Sequence, residues 1–168
     1  MFNRCVIRFG EEADARFTMN IGKEILSEGY ALKNVDEFHD SIKQEKKWIA
    51  SYKGAEFFLV AEVDEEVVGF LNFDLGKLNS TKHQGTFGIN VKRSARGKGI
   101  GRKLLTAMLD ECNGAGDTDI IRLNVLASNT SAIRLYESFG FQQEGYFIDY
   151  VRKNGKSDDM IHMTLHLT

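Results

Sequence analysis

The sequence predicts a mixed α/β domain, and three observations predict it. Strand-like apolar runs alternate with stretches of helical spacing, the segments follow one another as β-α-α-β-β-β-α-β-α-β-β, and neither an internal repeat nor a low-complexity stretch interrupts them. Composition agrees. At 168 residues, with 42% hydrophobic and 27% charged side chains, residues 1–168 suit one globular domain that closes its own core.

Taken in order, "CVIRF" reads as the first strand. "EEADARFTMNIGKEIL" puts Ala13, Phe17, Ile21 and Ile25 on one helical face, with Gly29 as a stop. "NVDEFHDSIKQEKKWIASY" opens on Asn34 with Glu37 three residues later, a capping-box pattern, and aligns Phe38, Ile42, Ile49 and Tyr52 along one side of a second helix. "EFFLVAEVDEEVVGFLNFDLG" is a strand, a short acidic turn and a strand, and "GTFGINV" is a further strand. Ile100, Leu104, Leu105, Met108, Leu109 and Cys112 form the buried stripe of a third helix that ends near "GAG". "IIRLNVL" is a buried strand. "NTSAIRLYESFGF" gives a short helix with Ala132, Leu135, Tyr136 and Phe139 at helical spacing and Gly140 as its terminator. The tail holds two extended runs around Asn154 and Gly155, a dipeptide suited to a type I′ hairpin turn.

Several function classes fall away on bulk properties. A formal charge of -2 and a pI near 6.1 do not suggest general binding to nucleic acid. The N-terminal stretch turns charged before any apolar core develops, and the longest apolar run, "FFLVA", is too short to span a bilayer, so no membrane partner is expected. Cys5 and Cys112 lie far apart and match no metal-ligand spacing, which points to a reducing, cytoplasmic setting without a metal.

Against that background "KRSARGKGIGRKLL", residues 92–105, stands out. It holds Lys92, Arg93, Arg96, Lys98, Arg102 and Lys103 with no acidic residue in the window. The glycines lie between a strand ending near Val91 and a helix starting near Gly99. There the unpaired N–H groups of a helix's first turn and its dipole favour an anion, and glycine lets backbone approach a ligand closely. A phosphate cradle follows, the plain alternative being a glycine-rich turn with incidental cations. A Walker A loop would need a glycine at position 102, where Arg102 stands, and a dinucleotide fingerprint would open the first βαβ unit, so both of those nucleotide patterns fail.

The spacing that fits is RxxGxG, residues 96–101. With it, "INVKRSARGKGIGRKLL" resembles the acetyl-CoA-binding motif of the GCN5-related N-acetyltransferase (GNAT) family. "SNTSAIRLYESFGF" resembles the family's next motif, an Asn followed seven residues later by a Tyr and then by Gly-Phe. The resemblance covers residues 57–167 in detail. It implies a mixed central sheet of about seven strands flanked by about four helices, with a splayed strand pair holding acetyl-CoA. Residues 85–140 would carry the cofactor motifs and residues 1–55 the variable acceptor-side helices.

Carried over residue by residue, the resemblance implies that backbone groups of Ile89, Asn90 and Val91 pair with the pantetheine arm and hold the acetyl carbonyl. Arg96, Gly97, Lys98, Gly99, Ile100, Gly101 and Arg102 would bind the pyrophosphate, Asn129 would contact the cofactor, and Tyr136 would protonate the departing thiolate. Asn129 is also a good helix N-cap, and Tyr136 lies on an apolar stripe.

The base is left open. Relatives that modify protein N-termini place a Glu where Asn124 stands here, and small-molecule relatives carry a Glu where this sequence offers only Thr86 and Phe87. A water relay, His83, Asp74 or Asp149 are the remaining candidates. The tail resembles a subgroup that acetylates amino acids and polyamines, in which an Asp follows the hairpin as Asp159 does. Acidic residues of "EVDEEV" with Asp158 and Asp159 would draw an ammonium, and Phe57, Phe58, Phe70, Phe73 and Phe87 would shape a pocket or, as is more usual, pack the core. The expected activity is acetyl transfer from acetyl-CoA to a small primary amine, an amino acid ahead of a polyamine, by direct attack in a ternary complex. The alternatives are acetylation of a protein N-terminus, which Asn124 argues against, and a catalytically silent acyl-CoA sensor. Strand edges near the C-terminus would support a homodimer.

Overall fold

The computed structural model describes residues 4–33, 35–38 and 41–167. Strand β1 (Cys5–Phe9) leads through a 3-10 turn to helix α1 (Ala15–Glu28) and then to α2 (Ile42–Ala50). Three strands follow, β2 (Phe57–Val63), β3 (Glu66–Leu75) and β4 (Gln84–Val91). Helix α3 (Ile100–Ala115), β5 (Ile120–Leu126), α4 (Thr130–Ser138), β6 (Gln142–Lys153) and β7 (Lys156–His166) complete the chain. The order read from the sequence is the order observed.

The seven strands form one sheet, β1-β2-β3-β4-β5-β7-β6. Every neighbouring pair is antiparallel except β4 with β5, which run parallel and register over only Gln84–Ile120, Gly85–Ile121 and Thr86–Arg122. Alternation along the strands sends the two sets of side chains to opposite faces. Leu71, Phe73, Ile121, Leu123 and Met163 join Leu104, Leu105, Met108 and Tyr136 in the larger core, beneath α3 and α4. Phe58, Val60 and Phe70 meet Ala15, Ile21 and Ile49 of α1 and α2 in the smaller one. The β2–β3 turn at Asp64 and Glu65 and the β6–β7 turn at Asn154 and Gly155 both have positive φ at the two central residues, as a type I′ hairpin requires.

Two helix starts differ from the sequence reading. Ala13 is exposed in the 3-10 turn Glu12–Asp14, and α1 begins at Ala15 because Asp14 turns inward to Arg8 rather than capping a longer helix. The second helix begins at Ile42, where the Ser41 side chain accepts the Gln44 N–H at 3.4 Å. Residues Val35–Glu37 form a separate 3-10 turn, which takes Phe38 off the stripe of α2. The proposed cap Asn34 lies outside the described residues.

Candidate active site

After Thr86 and Arg122 the parallel strands part, so Phe87, Gly88, Ile89, Asn90 and Val91 line a cleft, and the backbone groups of Phe87, Ile89 and Val91 turn to the edge that β5 has left. Its volume is about 650 Å³, within the range of a small-molecule or cofactor site. Leu123, Asn124, Val125 and Leu126 of β5 form the opposite wall. Gly97, Gly99, Ile100, Gly101 and Arg102 close one end, and Asn129, Leu135 and Tyr136 of α4 close another.

Eleven of the twelve residues singled out from the sequence line this one cleft. Lys98 is the twelfth, and its Nζ donates to the Ser94 carbonyl at 3.2 Å. Gly97 and Gly99 take φ of 71° and 80°, conformations that side chains other than glycine rarely adopt, and Gly99 caps α3. Gly101 serves packing. A Cβ there would come within 3.2 Å of Leu135 Cδ2, so its absence lets α3 and α4 meet beside the cleft. The cap expected of Asn129 is formed, since Oδ1 accepts the Ala132 N–H at 3.4 Å and leaves the side-chain NH2 available to a ligand. Tyr136 is 8% exposed, packed edge-on against Phe87 and Phe141, and burial pushes its phenol up to about 12. It therefore keeps its proton through neutral pH.

The basic cluster is less free than its sequence suggested. Lys92 pairs with Glu66. Glu28, at the end of α1, accepts from Arg96 through both oxygens, at 2.6 and 3.0 Å, and from Arg93 Nε at 3.3 Å. Hydrogen bonds from Arg96, acting against burial, hold the Glu28 carboxyl below the usual range. Arg96 Nε also donates to the Val91 carbonyl at 3.0 Å, and Glu24 accepts the Arg93 N–H at 2.8 Å. Helix α1 thus holds the loop in place, and these partners lie 65 or more residues away in sequence, beyond the reach of a local motif. Arg102 spans α3 and α4, bonding Ser138 Oγ at 3.0 Å and lying 5.1 Å from the Phe139 ring centroid. Ile25, Glu28, Tyr30, Ala31 and Leu32 line the cleft as well, unanticipated because nothing in their own segment marks them.

The three residues named as bases are placed differently. His83 precedes β4, its carbonyl bonded to Asp119 and Ile120, roughly 20 Å along the strand from Ile89. Asp149 is held to about 2 by its hydrogen bond from Arg152. Asp74 accepts from the Tyr52 hydroxyl at 3.1 Å and from Asn72 Nδ2 at 2.9 Å. The acidic rim is likewise engaged, with Asp159 bonded to the Tyr146 hydroxyl and the Asp149 N–H and Asp158 to Ser128. Of the five phenylalanines only Phe87 lines the cleft. Phe57 stacks on Phe73 and Phe58 on Phe70, in the two cores. Among the described residues no cluster of three or more His, Cys, Asp or Glu could hold a metal, and no helix is long and apolar enough to cross a membrane.

Comparison with known proteins points the same way. L-amino acid N-acetyltransferase AaaT of Escherichia coli (strain K12) is 33% identical over 105 residues, which span 62% of this chain and 65% of that relative. Spermidine N(1)-acetyltransferase of Vibrio cholerae is 24% identical over 163 residues, 97% of this chain and 93% of the relative. The fold is shared with yncA, an acetyltransferase of Salmonella typhimurium solved with its cofactor acetyl-CoA, at a TM-score of 0.90 and 24% identity, over 99% of this chain and 95% of that one. The model of the Acetyltransferase (GNAT) family matches residues 21–141, most of the chain and all of the cleft's glycine loop, and the chain belongs to that family.

Proposed function

We propose that the protein transfers the acetyl group of acetyl-CoA to a primary amine of a small molecule, an amino acid ahead of a polyamine. The observation that carries this reading is the parting of β4 from β5 directly beside the glycine cradle of α3, which makes one cleft out of a strand edge without its neighbour and an anion site. The residues present fit acetyl-CoA. Free N–H groups in the first turn of α3 suit the pyrophosphate, the open space over Gly97 and Gly99 leaves room for it, and the unpaired edge of β4 suits an amide-bearing arm.

In this reading the N–H groups of Ile89 and Val91, on the edge of β4 turned away from β3, polarise the acetyl carbonyl and stabilise the negative charge that gathers on its oxygen when the amine attacks, whereas the Asn90 backbone faces β3. The Tyr136 phenol donates to the departing sulfur from within the α4 wall. Attack is direct, with no covalent adduct to the protein. The acceptor class is supported by relatives whose names specify amino acids and spermidine. Acetylation of protein N-termini is less well supported, since the cleft wall carries Asn124 where a carboxylate would be wanted.

The test is CoA thiol release from acetyl-CoA across amino acids, polyamines, aminoglycosides and N-terminal peptides. Saturable release with amino acids or polyamines is the expected result. Tight acetyl-CoA binding without turnover on any acceptor would replace the enzyme by an acyl-CoA sensor, and absent binding would remove the cofactor assignment.

A further inference from the structure

The acceptor's ammonium must lose a proton before nitrogen can attack, and the cleft's own wall points to where that proton goes. Asn124 lies on the part of β5 that has left β4, and it lines the cleft. Its partner across the antiparallel β5–β7 pair is His162, and the two side chains meet, Nδ1 to Oδ1, at 2.7 Å. With Oδ1 as the acceptor, Nδ1 donates, and in the neutral ring that leaves the lone pair on Nε2. The imidazole is thus one hydrogen bond from the cleft wall, partly exposed, and in the tautomer that can receive a proton.

The other titratable groups nearby are poorly suited. Glu144 of β6 bonds Thr164 and pairs with Arg122, and the Thr164 hydrogen bond foremost keeps its carboxyl below the usual range. Asp74 is engaged by Tyr52 and Asn72. Arg122, on the same face of β5, is a cation. Among the described residues Glu144 interacts with the imidazole and Arg122 pairs with Glu144, one charge of each sign.

We propose that His162 is the general base of this enzyme, oriented by Asn124. The inference rests on the acetyltransferase reading and deepens it. Nε2 takes one proton from the acceptor's ammonium, and the freed nitrogen lone pair forms the C–N bond at the acetyl carbon. The C–S bond breaks with its electron pair passing to sulfur, which receives the Tyr136 proton. The nitrogen loses its second proton to solvent, from which Tyr136 is reprotonated, and His162 releases its proton to solvent. One ammonium and one thioester give one amide, one thiol and one net proton.

The experiment is the pH dependence of kcat/KM for CoA release with two acceptors of different ammonium acidity, an α-amino acid and its amide. A limb that belongs to the acceptor moves between them, whereas a limb that belongs to His162 is shared. His162→Gln is expected to lower kcat/KM on the order of 10²- to 10³-fold, to abolish the shared limb, and to leave acetyl-CoA affinity unchanged by calorimetry. Asn124→Asp keeps the imidazole and places a carboxylate against it, so the shared limb moves to higher pH, an effect that a purely structural role would not produce. Equal turnover in His162→Gln, or a shared limb that stays in place in Asn124→Asp, overturns the proposal while the acetyltransferase reading stands. A wild-type protein that binds acetyl-CoA but acetylates nothing overturns both.

Discussion

Replacing Tyr136 with Phe separates the chemistry of the phenol from its packing. In the folded protein burial lifts this phenol from its usual 10 to about 12, with 8% of the residue exposed. A folded value above the unfolded one means that its contribution to stability is whole below pH 10 and is lost as pH rises toward 12. At pH 11 the unfolded chain has largely ionised this group and the folded protein has not, which corresponds to about 1.4 kcal/mol, and the limiting loss above pH 12 is about 2.7 kcal/mol. Phenylalanine cannot ionise. Urea unfolding of the two proteins at pH 8 and pH 11 should therefore show the Tyr136→Phe variant gaining on wild type by about 1.4 kcal/mol between the two conditions. Other groups that titrate there cancel in the difference. Turnover should fall roughly 10²-fold while acetyl-CoA affinity is kept. Parallel stability curves would show that the phenol is not held neutral by burial, and undiminished turnover would remove it from proton donation to sulfur.

Three further outcomes follow from contacts already described. Glu28→Gln removes the anion shared by Arg93 and Arg96, so folding stability should drop by about 1–2 kcal/mol while acetyl-CoA binds several-fold more tightly by calorimetry. Weaker binding would instead mean that the carboxylate orders the loop for its ligand. Gly101→Val places a branched side chain where even a Cβ would meet Leu135 at 3.2 Å, and the acetyl-CoA Kd should rise at least about tenfold. Asp14, with a side chain 7% exposed, is raised by burial but lowered more by hydrogen bonds from Arg8 and the Glu11 N–H, so its net pKa is depressed. Asp14→Asn should cost about 2–3 kcal/mol at neutral pH, with the two proteins converging as pH falls from about 4, where the unfolded chain protonates this carboxyl, through the lower value at which the folded protein does. A gap that persists at low pH would contradict that assignment.

The legible parts of this molecule were those with local signatures. Period and punctuation located each strand and helix, and the glycine spacing of residues 96–101 located the cleft. What escaped depends on register and on distant partners. Glu28 meets Arg96 across 68 residues, and no window around either one predicts it. Asn124 lies on a strand that reads as buried and His162 in the tail, and only the β5–β7 register places them opposite one another. The capping pattern at Asn34 competes with Ser41 for the start of the second helix, and it is Ser41 that caps it, with Val35–Glu37 left as a 3-10 turn.

The three-residue seam between β4 and β5 has a mechanical consequence. On one side of it lies an antiparallel set of four strands, on the other an antiparallel set of three, and each set is held by its own long ladders. The join between the two sets is the shortest register in the sheet, and it ends where the cleft opens. A molecule bonded to β4 and resting against β5 acts as a rivet across that line. Its binding energy then stiffens the join, and amide-exchange protection on ligand addition should rise most along the two facing strands.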